Sequence, residues 1–583
     1  MKTSKYLPAI FLCSLGSLFS LQGQDTILNR NVSVEREYRP VIHDAGKINS
    51  MPQVLEPDMA KLPAEYSDFN LPLNVGFNIL NLPAAELITD KHININNGYA
   101  RLAVGNYLNT LGDFAYPLIN TPDTRLDFSL NHLATFDSKQ MHSTTLSNLS
   151  FDKVFKTFAL YAGLGGGHEY LKYYGNYYNA ADSIVNQSNT SAYVEKQGSG
   201  LAGFPVNTLA NNSADNTFWR LNVLVGVRSL PLSAGLNYQA EVQYQALNAA
   251  NGISEKLVHT VAGFSSPSEQ NRLGLDFELY NMIYTKADIP DPSSWQSYSV
   301  MKLSPYYRID RPEYTVRLGF KSGLSFVRGK FMNPSADVSA EWKAIPKQLS
   351  IYGGLTGNYE VNTLNRTLTE NPYIFSDLRL NDTYIPFDLF AGIKIKPIYN
   401  LLVDAYIDYK HINGQYFYVN KEYMLVNPVV SESSSISTVF SNRFNVVYSN
   451  ASQARLGLRA NYNMQDKLNV ELKWAYNAWN VDTEQYAWNM PKYEAQVNAG
   501  YRMNDKLALS ANLYYEGSRF AKLGTVAVAM QDKVDFNLGA TYSYNNTISF
   551  FGKLNNLFNK KYQDYYGYDV QGTNILLGAA FSF

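Results

Sequence analysis

The chain ends on Asn574-Ile575-Leu576-Leu577-Gly578-Ala579-Ala580-Phe581-Ser582-Phe583, and the reading of this stretch decides the fold. Ile575, Leu577, Ala579, Phe581 and Phe583 fall on one side of an extended strand; Asn574, Gly578, Ala580 and Ser582 fall on the other, with Leu576 the exception. A strand turns successive side chains to opposite faces, so alternation with a period of two marks two different surroundings. An apolar face closed by an aromatic, backed by a small and polar one, suits the last strand of an outer-membrane barrel, with lipid outside and water inside.

Immediately upstream, Leu554-Asn555-Asn556-Leu557-Phe558-Asn559-Lys560-Lys561-Tyr562, followed by Gly567-Tyr568, resembles the C-terminal signature of TonB-dependent outer-membrane receptors. The resemblance is carried by the Asn-Leu-Phe-Asn-x-x-Tyr core and the closing aromatic; Gln571-Gly572-Thr573-Asn574 stands where that family usually has Gly-Arg. It implies a large barrel filled by an N-terminal plug, uptake of a solute across the outer membrane, and a TonB-type energy-coupling protein as partner. Only Asp25 to Asn97 precedes the first strand, far less than the family's plug, and no convincing Ton box is seen. The resemblance is therefore one of barrel character from Gly98 onward, and of motif only near the end.

At the other end, Lys2 and Lys5 precede an apolar run from Leu7 to Leu21, with small or polar residues from Ser20 to Gln24. A basic start, a short apolar core and a cleavage zone predict a signal peptide over residues 1–24. Cys13, the only cysteine, lies inside it, so the mature chain is expected to hold no thiol, disulfide or Cys-based metal site. Residues 25–97 carry prolines at 40, 52, 57, 63, 72 and 83, which removes them from central-strand positions. They read as an irregular extension: a lumen occupant, a periplasmic docking arm, or a flexible tail.

From Gly98 to Phe583 alternation repeats along the chain. Trp219, Leu221, Val223, Val225 and Val227 alternate with Arg220, Asn222, Gly226 and Arg228; Leu401, Val403, Ala405, Ile407 and Tyr409 alternate with Asp404, Asp408 and Lys410. Short turns at Thr121-Pro122-Asp123, Ser266-Pro267-Ser268, Asp310-Arg311-Pro312, Met464 to Lys467, Met503 to Lys506 and Tyr544-Asn545-Asn546 alternate with longer loops. Those loops are expected at about Gly175 to Ala214, Asp288 to Ser294, Asn362 to Asp382, Ile412 to Thr438, Asp482 to Met490 and Ser518 to Asp532. Short turns on one side and long loops on the other predict an all-β transmembrane antiparallel β-barrel of about 22 strands, in the outer membrane of a Gram-negative bacterium. The 45 tyrosines and 30 phenylalanines suit aromatic girdles at the two lipid boundaries. A net charge of −1 argues against nucleic acid as a partner, since that partner demands a basic face.

Chemistry-bearing motifs are few. Gly165-Gly166-Gly167-His168-Glu169 lacks the Lys-Ser/Thr of a phosphate loop and the second His of a metal motif, and reads as lumen-facing or bulged glycines in a strand. No catalytic set, metal or cofactor is expected. Tyr173, Tyr177, Tyr178, Tyr416, Tyr418 and Trp488, all in expected loops, are candidates for stacking on a flat ligand, or else members of the outer girdle. Arg220, Arg272, Asp276, Arg317, Asp404, Arg455 and Glu471 are expected on the lumen wall, where both signs in similar number suggest internal pairing without ion preference. The leading expectation is a receptor-like uptake barrel touching outer-membrane lipid; the alternative is a non-enzymatic structural or assembly subunit that holds another envelope protein.

Overall fold

The computed structural model describes residues 98–583, apart from 180–183, 186–192, 196–214, 231–234, 251–253, 286–295, 327–330, 428–434 and positions 269, 376–377, 379 and 465–466. The expected signal peptide 1–24 and extension 25–97 lie outside the described residues. A closed ring of 22 antiparallel strands runs from Tyr99–Gly105 to Asn574–Ser582, each strand pairing with the next in sequence. First and last strands close it, with Tyr99 opposite Ser582 and Gly105 opposite Leu576, and the Gly98 and Phe583 backbones exchange hydrogen bonds of 2.6 and 2.9 Å. Closure removes the free edges that would otherwise leave backbone donors and acceptors unpaired in lipid.

The outer face is apolar around the ring. Leu102, Leu164, Val225, Val242, Leu318, Leu389, Ile407, Leu456 and Leu577 are all exposed large hydrophobics on strands. So continuous an apolar surface would aggregate in water and is stable only against lipid. Exposed aromatics gather toward both ends of the strands: Phe264, Tyr314, Trp342, Tyr399 and Tyr501 toward one, Trp219, Phe326, Tyr493 and Phe558 toward the other. They mark the two interfaces. In the last strand Ile575, Leu577, Phe581 and Phe583 point outward as expected, and Leu576 packs inward against Ala103, Leu111 and Phe551.

All six expected short turns lie at the end that holds both Gly98 and Phe583, and this end faces the periplasm. Their sequences explain their tightness: the Asn504 side chain accepts from the amides of Lys506 and Leu507, both at 2.9 Å, and Asn545 does the same for Thr547 and Ile548. The longer connections emerge from the opposite end; the expected loop Asp288 to Ser294 lies outside the described residues. One expectation is corrected there. The stretch Ile412 to Thr438 is largely a hairpin, built from the 27-residue strand Leu401–Asn427 and the 30-residue strand Ser435–Met464, which rises past the membrane. Tyr416, Phe417, Tyr418 and Val419 are all buried, so this part of the strand is covered on both faces and shows no alternation in sequence. Register shifts at Ile412/Gln415 and Asn420/Glu422 further break the period.

Inside the wall, tyrosines lie across glycines of the neighbouring strand. A β-carbon added to Gly226, Gly274, Gly392 or Gly457 would stand 2.2, 2.2, 2.4 and 2.2 Å from the rings of Tyr161, Tyr306, Tyr352 and Tyr406. The glycines make room for flat rings that pack the concave wall, and the Arg317 guanidinium lies 3.7 Å from the Tyr306 ring centre. Gly274→Val is expected to displace Tyr306 and to lower stability by about 1–3 kcal/mol, as overpacking does. Urea titration read by the shift between folded and unfolded gel mobility measures it; an unchanged midpoint would show that the ring has room to move.

Candidate functional site

The extracellular mouth is where the described loops converge. Between the thirteenth strand, Leu349–Glu360, and the fourteenth, Thr383–Ile398, the chain folds inward as a helix, Leu364–Glu370. Thr363 caps it, its side chain accepting from the Arg366 amide at 3.1 Å, and Leu364 and Leu368, four residues apart, bury one face. The first two helical amides, Leu364 and Asn365, donate to the Glu255 carboxylate at 2.6 and 3.0 Å, and the Arg220 side chain donates to Asn365 at 2.9 Å. Two residues of the wall thus hold the start of the helix.

Its end carries a carboxylate hub. Glu370 accepts from Tyr416 at 2.5 Å, from Tyr418 at 2.8 Å and from Arg366 at 3.0 Å, while the Tyr565 hydroxyl donates to its backbone carbonyl at 3.0 Å. Burial first, and then the negative charge of Glu370, push the Tyr416, Tyr418 and Tyr565 phenols well above their ordinary range, so all three stay donors. Arg366 also reaches Glu360 at 3.2 Å, so one guanidinium is shared between two carboxylates.

From the other side comes the last extracellular loop, which contains the C-terminal motif. Asn556 and Asn559 take left-handed backbone conformations, φ 46° and 48°, which asparagine tolerates better than most residues. The Asn556 side chain closes the turn by accepting from the Lys560 amide at 2.9 Å; Tyr562 donates to Asp535 at 3.0 Å. Leu557 and Phe558 point outward, Phe558 stacking on Phe536 with ring centres 5.3 Å apart. The motif is a fastening: polar residues inside, apolar ones toward lipid. Gln571, which opens the stretch Gln571 to Asn574 that departs from the resembled signature, bridges the seam by donating to Thr135 at 3.1 Å and accepting from Asn109 at 3.2 Å.

The two loops meet over the lumen. Tyr373 and Tyr568 stack at 3.5 Å, Tyr174 meets Tyr568 edge-on at 5.0 Å, and the Tyr568 hydroxyl donates to the Asn442 carbonyl at 2.5 Å. Backbone from a third direction joins them. Within the loop that follows the fifth strand, Phe158–Lys172, the short strands Tyr177–Asn179 and Tyr193–Glu195 pair with opposite edges of the long hairpin.

Of the aromatic candidates, Tyr173, Tyr416, Tyr418 and Trp488 are buried in this packing, and Tyr177 and Tyr178 contribute backbone pairing. Trp488 sits on the other side of the hairpin, with Phe417, Val419 and Met490. Four of the six therefore form the roof and its support. The lumen charges are paired: Arg220 with Glu169, Arg272 with Asp310 at 3.2 Å, Arg317 with Asp276 at 3.3 Å and Asp337 at 2.9 Å, and Arg455 with Glu494 at 3.8 Å. Asp404 accepts from Tyr352 at 2.7 Å, and Glu471 meets Lys473 at 2.8 Å. Gly165, Gly166 and Gly167 lie within the fifth strand, and further along it Glu169 bonds His142 of the fourth at 3.1 Å. Among the described residues no group of three His, Cys, Asp or Glu could hold a metal. Residues not anticipated from sequence are Glu255, Glu370, Tyr373 and Tyr565; Tyr568 was singled out only as part of the C-terminal motif. The only sequence signal for the helix was Thr363 ahead of Leu364 and Leu368.

A closed 22-strand ring with an apolar exterior, a charged lumen and inward-folded loops defines a large outer-membrane β-barrel. No protein-family model and no curated protein matches the sequence. Solved structures match the fold. A variant of the ferric enterobactin receptor PfeA from Pseudomonas aeruginosa is 12% identical with a TM-score of 0.58, over 83% of this chain and 80% of its own. The FrpB iron transporter from Neisseria meningitidis is 10% identical with a TM-score of 0.58, over 83% and 81%. The copper transporter OprC is 12% identical with a TM-score of 0.54, over 83% and 80%. The likeness read from the C-terminal motif thus extends to the fold.

Proposed function

We propose that the chain takes up a solute too large for general porins across the outer membrane, acting by binding and passage and not by catalysis. The observation that supports this best is a mouth closed by inward-folded loops on a barrel whose fold is similar to those of a ferric enterobactin receptor and a copper transporter. Paired wall charges of both signs suit a hydrated path without ion preference. Residues 25–97, following a signal peptide over 1–24, join the barrel at Gly98 on the periplasmic rim. From there they can enter the lumen or reach a TonB-type energy-coupling protein. A second reading, an assembly subunit for another envelope protein, draws on the long hairpin that rises past the membrane.

Uptake of labelled ferric chelates and copper, measured in cells lacking the chain and in complemented cells, separates the two. Uptake is expected to fall at least tenfold for one solute and to return on complementation. Unchanged uptake across the panel, together with loss of other envelope proteins from the outer membrane, would put the assembly reading in its place.

A further inference from the structure

One packed cluster joins opposite walls of the ring. Leu171, Phe218 and Leu247 stand on the fifth, sixth and seventh strands, Phe158–Lys172, Asp215–Ser229 and Asn237–Ala249; Tyr416, Tyr418 and Phe444 stand on the fifteenth and sixteenth, the two arms of the long hairpin. In a ring of 22 strands these positions are nearly diametrical. The helix loop and the last extracellular loop lie between them in the same cluster, through Leu364, Leu368, Tyr373, Tyr565 and Tyr568. The packing therefore crosses the whole opening.

We infer that this roof is itself the permeability barrier of the barrel, a gate with one fixed half and one movable half. Its margins are sealed to the rim. On the side of the early strands, Gln140 donates to the Asp569 carbonyl of the last loop at 2.7 Å. On the side of the late strands, the hairpin Phe520–Leu523/Val526–Ala529 packs Ala521 and Leu523 against Phe440 and Tyr566.

The two halves are held differently. The last loop is pinned by buried cations: Arg519, 1% exposed, donates to the carbonyls of Asp564 and Gln563, both at 2.8 Å, and Lys533, fully buried, meets Asp564 at 3.3 Å. Releasing this half would strand buried charge, which is expensive. The start of the helix loop is tied to the wall by hydrogen bonds to Glu255 and Arg220 and carries no buried cation, while its end stays with the hairpin through Glu370, Tyr416 and Tyr418. The helix loop is thus the half that moves, its start leaving Glu255 and Arg220, and opening parts the Tyr373–Tyr568 stack.

The inference rests on the chain being a membrane-spanning barrel and is independent of which solute it carries. The test is single-channel recording of the full chain in planar bilayers in potassium chloride, with heat-dependent gel mobility confirming that each variant is folded. Tyr568→Ala removes the centre of the stack; Glu255→Gln is the milder change, weakening the tie to the wall with little change of shape. The parent is expected to be silent, Glu255→Gln to show brief discrete openings, and Tyr568→Ala to hold long open states. If Tyr568→Ala does not fold, Glu255→Gln decides alone. A parent that already conducts as an open pore, or folded variants as silent as the parent, would overturn the inference.

Discussion

Removing Phe581, Ser582 and Phe583 is expected to abolish the inserted barrel, leaving exported chain that is degraded. The effect is large because of where these residues act. The first strand, Tyr99–Gly105, is only seven residues long, and its pairing with the last strand runs from Tyr99 opposite Ser582 to Gly105 opposite Leu576. Truncation deletes the two periplasmic rungs, the reciprocal hydrogen bonds of Gly98 with Phe583, and the stack of Phe583 on Tyr116 at 6.1 Å. It also removes Phe581 from its place opposite Ile548 on the other neighbour. The rungs that remain are tightly set, since a β-carbon on Gly105 would stand 2.2 Å from the Ile575 carbonyl oxygen and one on Gly578 2.3 Å from that of Leu102. A seam this short has no reserve, and an open sheet in lipid leaves two edges unpaired at several kcal/mol per group. Membrane fractionation with immunoblotting reads the result. Parental levels of heat-modifiable truncated protein would show that the seam closes without its last rungs.

Lys533→Met is expected to destabilise the barrel by about 3–5 kcal/mol, the scale for removing one partner of a buried ion pair. Lys533 is fully buried between Glu516 at 3.1 Å and Asp564 at 3.3 Å, and Arg519 alongside is 1% exposed. Methionine fills much of the same volume, so the change is mainly one of charge: Glu516 and Asp564 lose the lysine between them, and Arg519, 3.8 Å from Glu516, is the cation that remains beside them. The same lysine links the twentieth strand, Lys533–Ser543, to the last extracellular loop, so the loss should appear first as protease sensitivity in residues 556–573 and then as a lower urea midpoint. Lys533→Arg, which keeps the charge, should recover most of the loss. A midpoint for Lys533→Met within error of the parent would mean that water reaches the two carboxylates and replaces the lysine.

The wall of this barrel was legible because lipid and water impose a period of two on every strand, and because asparagine and proline turns announce themselves by chemistry, as Asn504 and Asn545 do. The outward residues of the last strand and the charged inward rows followed from that alternation. The roof was not legible, for a physical reason. Its residues are buried among other loops, so Tyr416 to Val419 have no contrast of faces to betray a strand, and Glu370 and Tyr568 meet through partners far away in sequence. The aromatic loop residues were found, but sequence could not distinguish a ring that faces a ligand, a ring at the lipid boundary and a ring that packs against another ring. The C-terminal motif was found as a likeness, and its turn geometry supplies the reason for its residue choices.

The cluster that spans the mouth has a mechanical consequence for the ring beneath it. Strands joined only to their neighbours conserve the perimeter of a barrel but leave its outline free to flatten into an ellipse. A packed strut between the fifth to seventh strands and the fifteenth and sixteenth fixes one diameter of that outline. While the strut holds, squeezing from the surrounding lipid is resisted across the mouth; once it parts, the same squeezing acts on a ring that can yield. The bilayer then becomes a load on the gate, and the outline of the wall and the state of the roof are two views of one equilibrium.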